Sequence, residues 1–136
     1  MKIIVKTGNG FRIEGMLDGL NDYTRACRSG WQAGSRMKQK NENIVMESIM
    51  ASDMKKVTEY PVGLRISWHD SSKRDWDNVA FAIKFIQDAM VRKGILENDS
   101  QKYISSIHYD FCHVRSAPYI EVEVVPAETE EAKQDR

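Results

Sequence analysis

The sequence predicts a small α+β domain, a mixed or antiparallel sheet packed with two to three helices. Three observations predict it. The chain has 136 residues, the length of one domain with a single real core. Its apolar residues switch between alternation and helical spacing, so both element types are present. Read in order, the elements run β-β-α-α-β-α-β-β, with no internal repeat and no linker to divide them. The domain is expected to fill residues 1–126, with a charged, disordered tail over 127–136.

Ile3-Ile4-Val5 and Phe11-Arg12-Ile13-Glu14-Gly15 flank Gly8-Asn9-Gly10, which predicts two short strands around a turn. Gly15–Tyr23 leads into helical sequence with Asn21 or Asp22 at the N-cap. Gly30 and Gly34 weaken the helical pattern beyond it. That spacing returns over residues 35–52, with Met37, Ile44, Val45 and Ile49 on the apolar side. After Pro61, Val62–Trp68 alternates as a strand. Residues 78–93 form the best-defined helix, with Val79, Ala82, Ile83, Ile86 and Met90 on one face and Gly94 as its stop. Phe81 and Phe85 add a second apolar strip, so this helix is either central to the core or shared with a partner subunit. Tyr103–Val114 and Tyr119–Val125 read as two strands, expected to pair antiparallel around Arg115-Ser116-Ala117-Pro118.

Charge is balanced at 20 basic and 20 acidic residues, but unevenly along the chain. Residues 121–136 hold six acidic and two basic residues, a net of −4, which leaves +4 on residues 1–120. A mildly basic body permits a phosphate-bearing partner. Arg25, Arg28, Arg36, Lys38 and Lys40 make the best basic stretch, read either as a DNA-backbone contact or as a solvated helix face. Cys27 and Cys112, with three histidines, show no zinc-site or disulfide spacing. No apolar run approaches the ~18–20 residues of a membrane span, and no signal-peptide core is seen. The expectation is a soluble protein of a reducing cytoplasm, without a membrane partner.

The chemistry concentrates in Lys73-Arg74-Asp75-Trp76-Asp77-Asn78, the helix it opens, and the Glu97–Gln101 turn that closes that helix. Carboxylates in this arrangement suit a hard divalent cation such as Mg²⁺. Lys73 and Arg74 suit phosphate. Asp75 and Asp77 can equally be helix caps, although one N-cap is enough. Asp99 returns after the helix, whose two ends lie about 25 Å apart at 1.5 Å per residue. It can join the other two only if the chain runs back or another subunit completes the site. Lys84 lies seven residues beyond Asp77, on nearly the same helical face and leaning toward it. Its alternative is a surface pair with Asp88. Trp76 is read as core packing at a strand–helix joint or as a stacking surface for a base.

Arg74-Asp75-Trp76-Asp77-Asn78, then Lys84-Phe85-Ile86-Gln87-Asp88-Ala89-Met90, then Gly94-Ile95-Leu96-Glu97-Asn98-Asp99-Ser100-Gln101, resembles the signature of RusA-type Holliday-junction resolvases. These are small, dimeric, Mg²⁺-dependent endonucleases often carried by phages. Gly19–Tyr23 and Pro118–Val122 also resemble family segments, so the likeness covers most of the chain. The resemblance implies that Asp75, Asp77 and Asp99 hold Mg²⁺, with Mn²⁺ able to substitute, and that Lys84 is the essential lysine. It implies a homodimer that cuts four-way DNA junctions by paired nicks in recombination and repair. Arg25, Arg28, Arg36, Lys38, Lys40, Lys73 and Arg74 would then hold the DNA backbone. Two positions depart from the pattern. The interval between Asp77 and Lys84 is a few residues longer than in the best-known member, so Lys84 is matched from its C-terminal side and Phe81 takes the nominal position. Asn98 stands where an acidic residue is common, leaving Glu97 or a water to compensate. The alternatives are a junction-binding module without activity and a metal-dependent phosphatase.

Overall fold

Strand β2 (Val62–Asp70) organises the sheet, because its alternation buries Leu64, Ile66 and Trp68 on one face. The computed structural model describes residues 8–127. In chain order the other elements are β1 (Gly10–Glu14), α1 (Leu20–Ser29), α2 (Trp31–Met50), α3 (Trp76–Ala80), α4 (Ile83–Arg92), β3 (Ile104–His113) and β4 (Tyr119–Pro126). The expected strand at Ile3–Val5 and the expected tail beyond Ala127 lie outside the described residues. The four strands form one mixed sheet in the order β1-β4-β2-β3. The domain is α+β, as its sequence predicts. No helix among the described residues is long and apolar enough to cross a membrane.

The pairing of the last two strands differs from the expectation. β3 pairs with β2 in parallel, from Val62 opposite Ile104 to Asp70 opposite His113, and β4 pairs with β2 antiparallel on its other side. β2 therefore separates β3 from β4, and the short link between them crosses the end of β2. The Val114 N–H donates to the Asp70 carbonyl at 3.2 Å, and the Gly15 N–H to the Pro118 carbonyl at 2.8 Å. The reason is burial. A strand as apolar as β2 is best satisfied in the centre, and the α3–α4 crossover delivers β3 parallel to it.

The helices cover one face. Val45 and Ile49 of α2, and Phe85, Ile86, Ala89 and Met90 of α4, pack on Ile13, Leu64, Ile66 and Ile120 of the sheet. Gly30 alone separates α1 from α2. Gly34 sits where they cross, and a Cβ there would stand 2.6 Å from Cys27 Sγ. α1 begins at Gly19, whose N–H donates to Asp22 Oδ2 at 3.0 Å, so Asp22 serves the helix start from its third position and not as the N-cap.

The expected 78–93 helix begins two residues earlier and tightens at Phe81 and Ala82. There the Ala82 N–H reaches the Val79 carbonyl and the Lys84 N–H the Phe81 carbonyl, each at 3.1 Å. Its second apolar strip is used within the chain. Tyr23 of α1 lies 5.3 Å from Phe81 and 6.4 Å from Phe85, ring centre to ring centre. The helix stops at Gly94, in the left-handed region at φ 75°.

Candidate functional site

The loop from Ser71 to Arg74 carries the chain from the end of β2 to α3, and its own side chains fix it. Asp70 Oδ1 accepts from the Ser72 N–H at 2.9 Å. Arg74 donates through Nη1 to the Leu17 carbonyl at 3.3 Å and lies 3.9 Å from Asp70 Oδ2. Arg74 thus ties the loop to the segment joining β1 and α1, a positioning role the sequence did not signal.

Asn78 is the second fixed point. It is buried, and its Oδ1 accepts from the Asn21 N–H at 2.9 Å. Gly19 lies against it so closely that a Cβ there would stand 2.5 Å from Asn78 Oδ1. The Asn of the D-x-D-N run therefore docks the start of α1 on α3. A neighbouring latch does the same for α2. The fully buried Asn41 donates to Asp18 Oδ2 at 2.8 Å and accepts from the Asp18 N–H at 2.9 Å. Burial opposes the Asp18 charge, yet the hydrogen bond from Asn41 and the Lys40 ammonium at 3.1 Å hold its carboxyl below the usual range.

Between these anchors stand Asp75 and Asp77. Both are exposed. Asp75 occupies the N-cap position of α3, and its carbonyl accepts from the Val79 N–H at 3.1 Å, but its side chain makes no cap hydrogen bond. Among the described residues neither carboxylate has a hydrogen-bond or ion-pair partner. Two neighbouring carboxylates are free where capping would have spent one of them.

Beside them lies a hollow of about 290 Å³ bordered by Asp70, Arg74, Trp76, Phe111 and His113. Trp76 is 62% exposed, so it is not core packing. It stacks on Tyr109 at 6.4 Å, while Phe111 stacks on the buried Trp68 at 5.5 Å. Tyr109 and Phe111 are exposed and were not singled out by sequence. Their alternation in β3 was visible, but only the parallel register, Ile66 opposite Tyr109 and Trp68 opposite Phe111, places them on this face.

The remaining expected residues lie elsewhere. Lys84 Nζ is 3.8 Å from Asp88 Oδ2, the surface pair, and the tightened turn at Phe81 breaks the regular spacing that would have aimed it at Asp77. Asp99 borders a hollow of about 550 Å³ between α2 and α4 with Lys38, Glu42, Asp88 and Arg92. The chain around it is tied to the start of β2: the Glu97 N–H donates to Tyr60 Oη and the Val62 N–H to the Tyr103 carbonyl, each at 2.9 Å. Asp75 and Asp77 come after the other end of β2. At about 3.3 Å per residue, its nine residues set the two places roughly 26 Å apart. Among the described residues no three His, Cys, Asp or Glu side chains come together to hold a metal.

The basic stretch is largely neutralised. Arg25 is 4.0 Å from Asp22, Lys38 lies within 3.8 Å of Glu42 and 3.7 Å of Asp88, and Lys40 pairs with Asp18. Arg28, Arg36 and Lys73 are exposed with no side-chain partner among the described residues. No protein-family model and no curated protein matches this chain. The functional reading therefore rests on the residues themselves. Mg²⁺ is commonly held by one or two carboxylates with water and substrate phosphate. Asp75 and Asp77 fit such a half-site, and Asp99 of the same copy does not reach it.

Proposed function

We propose that this chain is a Mg²⁺-dependent, structure-selective endodeoxyribonuclease of the RusA type, which resolves four-way DNA junctions as a homodimer. The observation that carries the reading is the pair Asp75 and Asp77, one residue apart at the start of α3, both exposed and with no side-chain cap hydrogen bond from Asp75 to the helix. Asp75 and Asp77 would hold the ion, which when bound supplies charge neutralisation and a more acidic water. Arg74 keeps the loop in place through Leu17 and Asp70. Of the expected DNA contacts, Lys73, Arg28 and Arg36 have no side-chain partner among the described residues and would meet phosphates, and Lys84 would act by leaving Asp88 for the phosphate.

The test is a labelled four-way junction against matched linear duplex, with and without Mg²⁺. Paired nicks on the junction alone, dependent on Mg²⁺, are expected. Binding without cutting would favour a junction-binding module that has lost activity, a reading supported by the distance of Asp99 and the Lys84–Asp88 pair. Neither binding nor cutting would leave the phosphatase reading.

Junction affinity should fall linearly with log salt. Arg28→Ala and Arg36→Ala should each flatten that slope by about one unit. Lys40→Ala should flatten it less, because Lys40 is engaged by Asp18 at 3.1 Å. Equal slopes in all three variants and the wild type would return this face to solvent.

A further inference from the structure

We propose that a hollow on the sheet binds a free α-amino acid, whose ammonium is held by Glu123 and whose carboxylate is held by Arg65. The site shares no residue with the acidic pair of α3, and it stands whether or not this chain is a nuclease.

Alternation sets which residues meet there. In β4, Ile120, Val122 and Val124 belong to the core, so Glu121 and Glu123 stand on the other face of the sheet. The register places Glu123 between Gly10 of β1 and Arg65 of β2, and Glu121 between Arg12 and Ser67. These six residues border one hollow of about 460 Å³, which extends to the end of α2. A space of that size accepts a small molecule and not only water.

Glu123 is the unusual member. It is only 8% exposed, and its Oε1 is enclosed without a hydrogen-bond partner. An enclosed carboxylate left alone is costly, and folded proteins pair such groups. Neither strand neighbour does so here. Gly10 has no side chain to offer, and a Cβ added there would clash with the Val122 carbonyl oxygen. Arg65 is half-buried and faces Glu123 across the strand pair, yet its side chain has no partner among the described residues. Arg12 is already engaged. Its Nε donates to Glu14 Oε1 at 2.6 Å, and its guanidinium lies 3.6 Å from the Tyr119 ring centre.

The hollow therefore offers one enclosed negative charge and one positive charge, neither spent on the other. A cation alone would leave Arg65 unmet, and an anion alone would be repelled by Glu123 and Glu121. A ligand that satisfies both carries a cation and an anion close together. Residues directly opposite in a sheet have Cβ atoms about 4.5–5.5 Å apart. An α-amino acid, which joins its ammonium and carboxylate through a single carbon, suits two side chains rooted that near. The guanidinium of Arg65 donates two parallel N–H bonds to the ligand carboxylate, and Glu123 accepts from the ammonium. The remaining volume takes the side chain of the amino acid.

The test is calorimetry on the full chain, without Mg²⁺ and without DNA, titrating the standard L-amino acids one at a time. At least one should bind with a dissociation constant of about 1 mM or lower. Its N-acetyl form, which lacks the ammonium, and its amide, which lacks the carboxylate, should each bind about thirtyfold more weakly or worse. Glu123→Gln and Arg65→Gln should each weaken binding by a similar factor, with circular dichroism to check that they are folded. Should Arg65→Gln unfold, Arg65→Lys takes its place, since it keeps the charge and loses the two-pronged geometry. Without ligand, Glu123→Gln should melt no lower than the wild type, because its carboxylate has no partner to lose. A variant that melts well below the wild type would show the carboxylate held within the fold, and overturns the proposal. So does a wild type that binds none of the amino acids, or one whose binding survives both substitutions. Binding retained by the N-acetyl form would be owed to Arg65 alone and overturns it too.

Discussion

Asp77→Asn is expected to lower junction cleavage by orders of magnitude while leaving the fold at essentially wild-type stability. The two halves of that expectation come from different parts of the geometry. Asp77 lies in the first turn of α3, exposed and without a side-chain partner among the described residues, so the amide gives up only a charge near the helix start. That contribution is about 0.3–1 kcal/mol for an exposed group. A neutral amide is, however, a much poorer Mg²⁺ ligand than a carboxylate. Junction binding without metal should hold or tighten, since a negative charge beside the phosphate has been removed. Asp75→Asn should match it, and the double variant should be no worse than either, because the carboxylates act as one unit. Denaturant melts run beside the cleavage assay separate the two effects. Cutting at the wild-type rate by Asp77→Asn would show that this motif is not a nuclease centre.

The order of elements and the place of the acidic pair could be read from the residues, because both are local. Alternation marks Val62–Trp68, helical spacing marks the Val79–Met90 stretch, and Asp75 and Asp77 stand where one element must end and another begin. Pairing was not legible. The short link after β3 suggested a hairpin with β4, whereas the burial of β2 on its inner face makes it the central strand between them. The hidden side of Tyr109 and Phe111 comes from that one difference. The roles of Asn78 and Arg74 were equally out of reach, since each depends on a partner 57 residues away, Asn21 and Leu17. Lys84 shares a face with Asp77 only in a regular helix, and the chain tightens at Phe81 between them. The distance between Asp99 and the other two aspartates was only half legible: helix length sets the ends of that helix apart, but whether the chain after Gly94 runs back depends on contacts such as Glu97 with Tyr60.

Phe85→Ala should be the most destabilising of the single changes considered, at about 3–5 kcal/mol, the usual range for truncating a buried phenylalanine. Phe85 is 1% exposed. Its ring meets Phe81 edge-on at 5.6 Å and Tyr23 edge-on at 6.4 Å, so it joins α4 both to the turn that leads out of α3 and to α1. Removing it takes away apolar burial and two ring contacts at once, and the helices that lose them are held by several other anchors that limit collapse into the space. Domains of this kind are stable by only about 5–15 kcal/mol, so the loss is a large share of the total. The midpoint of urea unfolding should fall sharply with little change in slope, because the folded and unfolded surfaces are nearly the same. Phe85→Leu, which keeps most of the volume, should cost much less. Junction cleavage by Phe85→Ala should remain near wild type well below its melting point and vanish above it, the reverse of the Asp77→Asn pattern. A loss below about 1 kcal/mol would mean that the site tolerates an empty ring, and that the Tyr23–Phe81–Phe85 cluster is not what joins α1 to α4.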